Sequence, residues 1–237
     1  MAAGNVRLTG VRSSSASSLS ALRRGELSRF LETYGELYSA RLGIALNGLD
    51  AGELFRWFLA SMLYGARIAE SVAGRTYEAF LERGLATPER IFAADFGELL
   101  EIMAEGGYVR YDGVTSRKVQ DAAAKLIADY DGDLNRLHTT AADARDLESR
   151  IVAFKGIGPT TASIFLRELR GLWPKADPPL GELAALSASH LGIDDPAGYW
   201  KRHAIRGFDY RHFEAALTRL GKDFCRRGRC GQSPVPH

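Results

Sequence analysis

The stretch from residue 151 to residue 180, IVAFKGIGPTTASIFLRELRGLWPKADPPL, constrains the fold of this chain more than any other. Its pattern predicts a helix, a tight turn at Gly156-Ile157-Gly158, a second helix and a proline-rich exit. Glycine adopts backbone angles closed to other residues, and Pro159 suits the first position of a helix. The turn and the helix start should therefore present unpaired amides beside a positive helix dipole, which favours anion binding. The alternative is an ordinary helix-turn-helix corner.

The rest of the sequence predicts an all-α fold. Apolar residues recur with helical spacing, and no stretch alternates convincingly with period two. The nearly all-apolar segment Leu54–Leu63 is predicted to be a central helix. Thr115 or Ser116 is expected to cap the helix that runs to Tyr130. Helices are predicted over residues 26–41, 54–63, 68–83, 96–104, 115–130, 143–154, 181–191, 196–203 and 210–225, and a short helix is predicted to start at Thr87-Pro88-Glu89.

Size and composition indicate a soluble globular protein with one domain or two intimate lobes. The chain has 237 residues, 46% hydrophobic and 25% charged, with a formal net charge of +2. That charge alone does not indicate a polyanionic partner, although residues 201–206 and 222–229 are rich in basic side chains. The small and polar N-terminal composition predicts a flexible tail over residues 1–22. We predict a domain over residues 23–230 and a C-terminal tail over residues 231–237.

Targeting and metal-binding patterns are absent from the sequence. No apolar run approaches the roughly 20 residues needed to span a bilayer, and the N-terminus lacks a signal-peptide segment. The prediction is a cytoplasmic protein, associated with the nucleoid if the source is prokaryotic. The five histidines show no ligand spacing, so we predict no catalytic metal. Cys225 and Cys230 form neither a disulfide framework nor a redox Cys-x-x-Cys.

Asp177 is an acidic residue whose position would allow a chemical role. Pro178 and Pro179 keep the backbone extended after it, so a helix cannot start until about Leu180. We expect this carboxylate to lie near a helix start and close to the glycine turn in space. The alternatives are a helix cap or a solvent-exposed loop residue. Glu182 is the nearest other acidic residue, but it would lie inside the next helix.

Residues 154–162, FKGIGPTTA, resemble the helix-hairpin-helix of the endonuclease III superfamily of DNA glycosylases. The Gly-x-Trp-Pro stretch that follows, and an aspartate about one helix after the hairpin, match the Gly/Pro-Asp loop of that family (HhH-GPD). Residues 54–66 are similar to the buried helix and DNA-facing loop of the family. Residues 106–118 resemble the loop and helix start that precede its hairpin. The resemblance covers roughly residues 50 to 230.

The resemblance implies two interleaved helical lobes with a cleft between them. It implies a base-excision-repair enzyme that flips a damaged or mispaired base out of double-stranded DNA and hydrolyses its N-glycosidic bond. Asp177 takes the catalytic position. The positions that would bind the DNA backbone are Lys155, Gly156, Gly158, Thr160 and Thr161. The positions that would form a base pocket or a wedge are Tyr64, Arg67 and Tyr111.

The sequence departs from the family pattern where the lyase-competent relatives carry a lysine. Thr160 stands there, and a hydroxyl cannot form an imine, so we predict a monofunctional glycosylase. A bifunctional glycosylase and abasic-site lyase that uses Lys155 or Lys175 remains an alternative. So do a non-catalytic helix-hairpin-helix DNA-binding protein and a helical scaffold. The spacing to Asp177 is about one residue shorter than usual, and Ala176-Asp177-Pro178 replaces the usual Val-Asp-Thr.

The C-terminal region departs from the family pattern as well. Many relatives hold an iron–sulfur cluster with four cysteines, whereas this tail has Cys225, Cys230 and Ser233 at about the third position. We therefore predict that the cluster has been lost and that the protein has no cofactor. We expect a monomer whose partner is a DNA duplex and which does not engage a membrane.

Overall fold

The computed structural model describes Leu22 and residues 24–229. Within this part of the chain there are thirteen α-helices and no β-strand, which confirms the all-α prediction. None of these helices is long and apolar enough to cross a lipid bilayer. The helices are α1 (Arg24–Tyr34), α2 (Tyr38–Arg41), α3 (Ala51–Tyr64), α4 (Glu70–Glu82), α5 (Pro88–Ala93), α6 (Phe96–Glu105), α7 (Asp112–Tyr130), α8 (Leu134–Thr140), α9 (Ala144–Val152), α10 (Pro159–Arg167), α11 (Glu182–His190), α12 (Pro196–His203) and α13 (Tyr210–Asp223).

Two helices differ from the sequence prediction in number and extent. Residues 26–41 form α1 and α2 rather than one helix, and the break follows Tyr34, where Gly35 ends the first of them. The short helix α8 was not predicted. Its start has a local signal, because the Asp133 carboxylate accepts a hydrogen bond from the Asn135 amide at 2.8 Å and so caps the helix.

The predicted cap of α7 at Thr115 or Ser116 is wrong. Both residues are buried inside the helix, which begins at Asp112. Tyr111 immediately precedes the helix. Its φ of 64° is left-handed, so the helix cannot extend to residues before Asp112. Instead of capping the helix, the Thr115 hydroxyl contacts another side chain: Thr115 Oγ1 lies 2.9 Å from Tyr108 Oη.

The larger of two hydrophobic cores is built around α3 and contains the predicted central helix. Phe58 packs edge-on against Phe154 and Phe165, with ring centroids 5.2 and 5.3 Å apart. Trp57 Nε1 donates a hydrogen bond to the Phe165 carbonyl at 3.0 Å. Helix α3 therefore supports α10 and Phe154, which precedes the glycine turn.

The second core joins α1 to α11, α12 and α13, so the two ends of the chain share one lobe. Phe30 of α1 packs edge-on against Phe213 of α13, with centroids 6.4 Å apart. Leu22 is buried, and its carbonyl accepts a hydrogen bond from Tyr199 Oη at 2.6 Å. Packing thus starts one residue before the predicted domain boundary. The rest of the predicted N-terminal tail, and residues 230–237, lie outside the described residues.

The two lobes meet along one side of α13. The guanidinium of Arg219 lies over the ring of Tyr38, 4.2 Å from its centroid, and that of Arg167 lies over the same ring at 4.8 Å. Lys222 Nζ pairs with Glu70 Oε1 at 2.5 Å. We call this boundary the inter-lobe seam. It is polar and aromatic, unlike the two apolar cores on either side.

Candidate nucleic-acid interface

The glycine turn joins α9 to α10 and uses its two glycines differently. Gly156 has a φ of 88°, in the left-handed region that favours glycine. Gly158 has a φ of −95° and serves as the N-cap of α10, with Pro159 at the first helical position. The Ala162 amide bonds to the Gly158 carbonyl at 3.0 Å. The amides of the first helical turn, before Ala162, have no intrahelical partner and are free to bind an anion.

Lys118 of α7 lies against the glycine turn. A Cβ atom built on Gly156 would stand 2.4 Å from Lys118 Cδ and 3.0 Å from its Cβ, so the glycine leaves room for the lysine stem. Among the described residues, the Lys118 ammonium pairs with no carboxylate. Sequence reasoning missed this cation as a site residue, because no local pattern connects position 118 with position 156.

A second close approach attaches the α3–α4 loop to the hairpin. A Cβ atom on Gly65 would stand 2.0 Å from Thr161 Oγ1, so only glycine lets the loop touch the start of α10. Thr161 is itself buried. Arg67, two residues further along the loop, is exposed and lies beside the hairpin.

The α6–α7 loop forms the other wall. Tyr108 is buried, and its hydroxyl contact with Thr115 anchors the loop. Val109 and Tyr111 point outwards, with 75% and 61% of their surfaces exposed. The Arg110 guanidinium lies 5.0 Å from the centroid of the Tyr111 ring and donates a hydrogen bond to its hydroxyl at 3.1 Å. This loop presents an exposed aromatic ring and a cation together.

These three segments enclose a groove of about 300 Å³. Arg67, Arg110 and Lys118 line it, and no carboxylate does. Gly156 and Thr161 also line it, so the structure brings together Arg67, Tyr111 and part of the predicted backbone-binding set. We call this surface the hairpin groove. Within the described part of the chain, no cluster of three or more histidine, cysteine or acidic residues could hold a metal ion.

Lys155 and Thr160 lie at the hairpin but do not line the groove. Both residues are exposed. Lys155 Nζ pairs with Asp121 Oδ2 at 2.7 Å, and 75% of the lysine side chain is exposed. An exposed ion pair of this kind contributes little to stability and is readily exchanged. Lys155 therefore remains able to turn towards a phosphate group.

Tyr64 belongs to the inter-lobe seam rather than to the hairpin groove. Its ring packs edge-on against Tyr38, with centroids 5.8 Å apart and an interplanar angle of 75°. Burial and, to a smaller extent, the charge of the nearby Glu70 carboxylate raise the pKa of Tyr64 to about 12. The structure thus separates Tyr64 from Arg67 and Tyr111, the two residues grouped with it on sequence grounds.

Asp177 lies near the end of α10 that is remote from the glycine turn. Its carboxylate pairs with Arg170, which follows the C-terminal end of α10, and 75% of its side chain is exposed. The loop before it is compact, because the Ala176 amide bonds to the Trp173 carbonyl at 2.9 Å. The nine-residue helix α10, roughly 13 Å long, stands between the glycine turn and Arg170, the residue with which Asp177 pairs, so the structure does not bring Asp177 to the turn as we expected from the sequence.

Lys175 is engaged at the end of another helix. Its ammonium donates hydrogen bonds to the carbonyls of His138, Thr139 and Ala141, at 2.9, 3.2 and 2.5 Å. These carbonyls lie at the C-terminus of α8, where a cation is favoured by the helix dipole. The side chain is therefore directed to α8 and away from the groove.

No family model matches the chain, and no curated protein matches its sequence. Among solved structures, the chain is similar to an endonuclease III trapped as a covalent intermediate with DNA, in an estranged-adenine complex. The alignment covers 90% of this chain and 94% of the other, with a TM-score of 0.51 and 17% sequence identity. The chain has the endonuclease III fold. At this identity the likeness establishes the fold and not the activity.

The endonuclease III fold raises the question of an iron–sulfur cluster, and the residues present do not fit one. A cubane cluster needs four thiolates, and the sequence contains two cysteines. Cys225 is buried in the second core, among Leu220 and other apolar side chains. Cys230 lies outside the described residues. The chain therefore cannot supply the ligand set that such a cluster needs.

Proposed function

We propose that this protein is a base-excision DNA glycosylase, which flips a damaged or mispaired base from a duplex and hydrolyses its N-glycosidic bond. One observation carries the proposal: in an endonuclease III fold, the hairpin opens onto a groove with three cations and no carboxylate. A surface of that charge beside free helix amides suits a DNA backbone. An aromatic ring exposed at its rim suits a distorted base stack.

The hairpin holds the backbone of the duplex. A phosphate binds the amides of Thr160 and Thr161, and the absence of a side chain at Gly158 lets it approach closely. Lys118 adds a cation on one side of the phosphate. Lys155 leaves its ion pair with Asp121 and contacts the DNA backbone. These contacts position the duplex and carry no sequence information.

The α6–α7 loop opens the base stack. Val109 and Tyr111 are exposed apolar side chains on a loop that is anchored from below by Tyr108. Side chains of this kind insert between base steps and cost a few kcal/mol of unstacking, which is lowest at a damaged or mismatched pair. Arg67, from the opposite wall, fills the space that the extruded base leaves.

Asp177 provides the carboxylate for bond cleavage. Loss of the base builds positive charge on the sugar, which a carboxylate stabilises while it orients or deprotonates the attacking water. In the structure Asp177 is exposed and paired with Arg170. The bound duplex therefore has to cover Asp177, and the sugar has to reach the end of α10.

Base release is hydrolytic and leaves an abasic site. Thr160 cannot form an imine with the sugar. Lys155 pairs with Asp121, and Lys175 is held by three carbonyls of α8. Neither lysine lines the hairpin groove, and Lys118, which does line it, is assigned to the phosphate. This arrangement supports a monofunctional enzyme over a bifunctional one that uses Lys155 or Lys175.

The test is a panel of duplexes, each with a single oxidised, alkylated, deaminated or mispaired base. Free base and strand breaks are measured separately, with and without alkali. We expect release of at least one base, with strand breaks only after alkali. Asp177→Asn should slow that release by about a hundredfold or more, because the amide carries no charge and accepts no proton. Duplex affinity should not fall.

Glu182→Gln is the matched control, since Glu182 is an exposed carboxylate at the start of α11, only five residues after Asp177. It should release base at the wild-type rate. Release that survives in Asp177→Asn but is lost in Glu182→Gln would transfer the catalytic role to Glu182. Borohydride trapping of a covalent complex would contradict the monofunctional assignment.

A second candidate function is a non-catalytic DNA-binding module. The ion pair between Asp177 and Arg170 favours it, because a carboxylate already neutralised by a guanidinium stabilises a sugar cation less well. Duplex binding through the hairpin groove, without base release from any member of the panel, is the result expected for this alternative.

Replacing Lys118 with alanine should weaken binding to undamaged duplex in a salt-dependent way. Each phosphate contact by a lysine contributes about 0.9 to the slope of log affinity against log salt concentration. The slope for Lys118→Ala should therefore be smaller by about one. Fluorescence anisotropy with a labelled duplex at several salt concentrations measures it. No lesion has to be identified.

Lys125→Ala is the control for this measurement. It removes the same charge from the same helix, but Lys125 pairs with Asp129 at 2.5 Å and does not line the groove. Its slope should equal that of the wild type. An unchanged slope in Lys118→Ala would remove Lys118 from the interface. Lys155→Ala, measured in parallel, tests the predicted contact of Lys155.

A further inference from the structure

Arg170 binds three groups through one planar guanidinium. Nη1 pairs with the Asp177 carboxylate, Nη2 donates to the Pro178 carbonyl at 2.6 Å, and Nε lies 3.3 Å from Glu214 Oε2. The face of the guanidinium lies 5.4 Å from the centroid of the Tyr210 ring. Only 16% of the Arg170 side chain is exposed. The candidate catalytic loop is therefore held at two adjacent residues by one side chain.

The position of Arg170 is in turn determined by Glu214. This carboxylate is on α13, and 2% of its side chain is exposed. Burial raises the pKa of Glu214, although the charge of Arg170 opposes that shift. A buried carboxylate left without its cation is strongly unfavourable, so Arg170 stays with Glu214. Asp177 is exposed and contributes little to holding the arginine in place.

The three residues come from both lobes. Glu214 lies on α13, which packs in the second core, whereas Arg170 follows α10 of the larger core. The charge of Arg167 acts on Glu214 as well. The loop is thus fixed in space by a residue remote in the sequence.

We propose that Arg170 is a positioning residue for Asp177, anchored to the second lobe by Glu214. This inference rests on the proposed function, in which Asp177 acts on the sugar. Arg170 does not touch the substrate. It holds the Asp177 loop through a carboxylate and a carbonyl at once, a geometry that the planar fork of arginine supports and the single ammonium of lysine does not.

The experiment measures single-turnover base release and duplex affinity for variants of the full chain. Arg170→Gln should slow release by about ten- to a hundredfold, the size expected for a misplaced catalytic group. Duplex affinity should stay within about twofold, because Arg170 does not line the hairpin groove. Arg170→Lys should give an intermediate rate. Arg150→Gln, which breaks a half-buried pair with Asp146 on α9, is the charge-matched control and should match the wild type.

The double variant Arg170→Gln/Glu214→Gln separates positioning from a merely structural role. It removes both charges, so no buried carboxylate is left unpaired and folding is preserved. If the only role of Arg170 is to compensate the buried charge of Glu214, the double variant will release base at the wild-type rate, and the proposal is overturned. If Arg170 positions Asp177, release stays as slow as in Arg170→Gln.

Hydrogen–deuterium exchange gives a readout that needs no substrate. Arg170→Gln and the double variant should both exchange faster than the wild type in peptides covering residues 171–183, and at the wild-type rate around the hairpin, residues 154–162. Unchanged exchange at residues 171–183 would overturn the proposal. If the wild type releases no base from any duplex, the proposed function has failed. Faster exchange confined to the loop then still supports the positioning of Asp177 by Arg170.

Discussion

Gly156→Ala is expected to destabilise the protein by about 2 to 5 kcal/mol and to abolish duplex binding. The φ of 88° at Gly156 costs an alanine about 1 to 2 kcal/mol. The added Cβ would also stand 2.4 Å from Lys118 Cδ and 2.6 Å from its Cγ. The clash extends back to the part of the Lys118 side chain near its backbone, so a rotation at the end of that side chain does not relieve it. Urea unfolding and fluorescence anisotropy with a duplex measure the two effects.

Gly158→Ala is the companion variant that separates stability from binding. Gly158 has a φ of −95°, and a Cβ atom there meets nothing within 4 Å. The free energy of unfolding should change by less than about 1 kcal/mol, because an alanine fits both the angle and the space. Duplex binding should nevertheless weaken, since the methyl group would stand where we propose that the phosphate approaches. Wild-type affinity in Gly158→Ala would argue against a phosphate at this turn.

Gly221→Ala is expected to destabilise the second lobe by about 1 to 3 kcal/mol or more. A Cβ atom on Gly221 would stand 2.0 Å from the Leu183 carbonyl oxygen and 2.7 Å from its carbon. Both atoms are backbone, so α11 and α13 have to move apart. Thermal and urea unfolding should show the loss. Exchange should rise in α13, which carries Glu214 and Arg219.

Gly25→Ala is the matched control, because Gly25 is also a helical glycine of the second lobe but has open space around its Cα. Alanine should stabilise α1 there slightly, by no more than about 0.5 kcal/mol, because Gly25 is in the first turn, where helix propensity counts less than in a helix interior. The two substitutions are chemically identical and should have opposite signs. Stabilisation by Gly221→Ala would contradict the tight contact between α11 and α13.

The inter-lobe seam shows why the two lobes are interdependent. Tyr38 receives two guanidiniums over its ring, and Glu168 accepts hydrogen bonds from the amides of Tyr38 and Ser39 at 2.7 and 2.9 Å. Burial raises the pKa of Tyr38 to about 12, so the phenol remains neutral and can donate a hydrogen bond at all ordinary pH values. The seam therefore links α2, α10 and α13.

Helices with a strong apolar pattern were predictable from the sequence, and those defined by a single residue were not. The buried face of α3 and the two helices of the hairpin follow from apolar spacing and from the glycine and proline positions. The start of α7 was misplaced, because a tyrosine at a φ of 64° leaves no compositional signal. The short helix α8 has only two buried residues, too few to show periodicity.

The features of the candidate site can likewise be divided into those that the sequence determined and those that it did not. The sequence alone determined three features of the site: the glycine at position 156, where φ is left-handed, the threonine at position 160 and the number of cysteines. The first two depend on the residue at one position, and the third depends on composition. The resemblance also grouped Arg67 and Tyr111, together with Tyr64, as positions of a base pocket or a wedge. The assignment of Asp177 as the catalytic residue remains a prediction.

Only the tertiary structure decided which side chains meet. It placed Lys118 against Gly156, moved Tyr64 into the inter-lobe seam and paired Asp177 with Arg170 at the far end of α10. The physical reason is that backbone angles and helix starts are set by neighbouring residues, which the sequence records directly. Contacts between helices depend on how apolar faces pack, and a polar side chain finds its partner only after the cores have brought remote segments together.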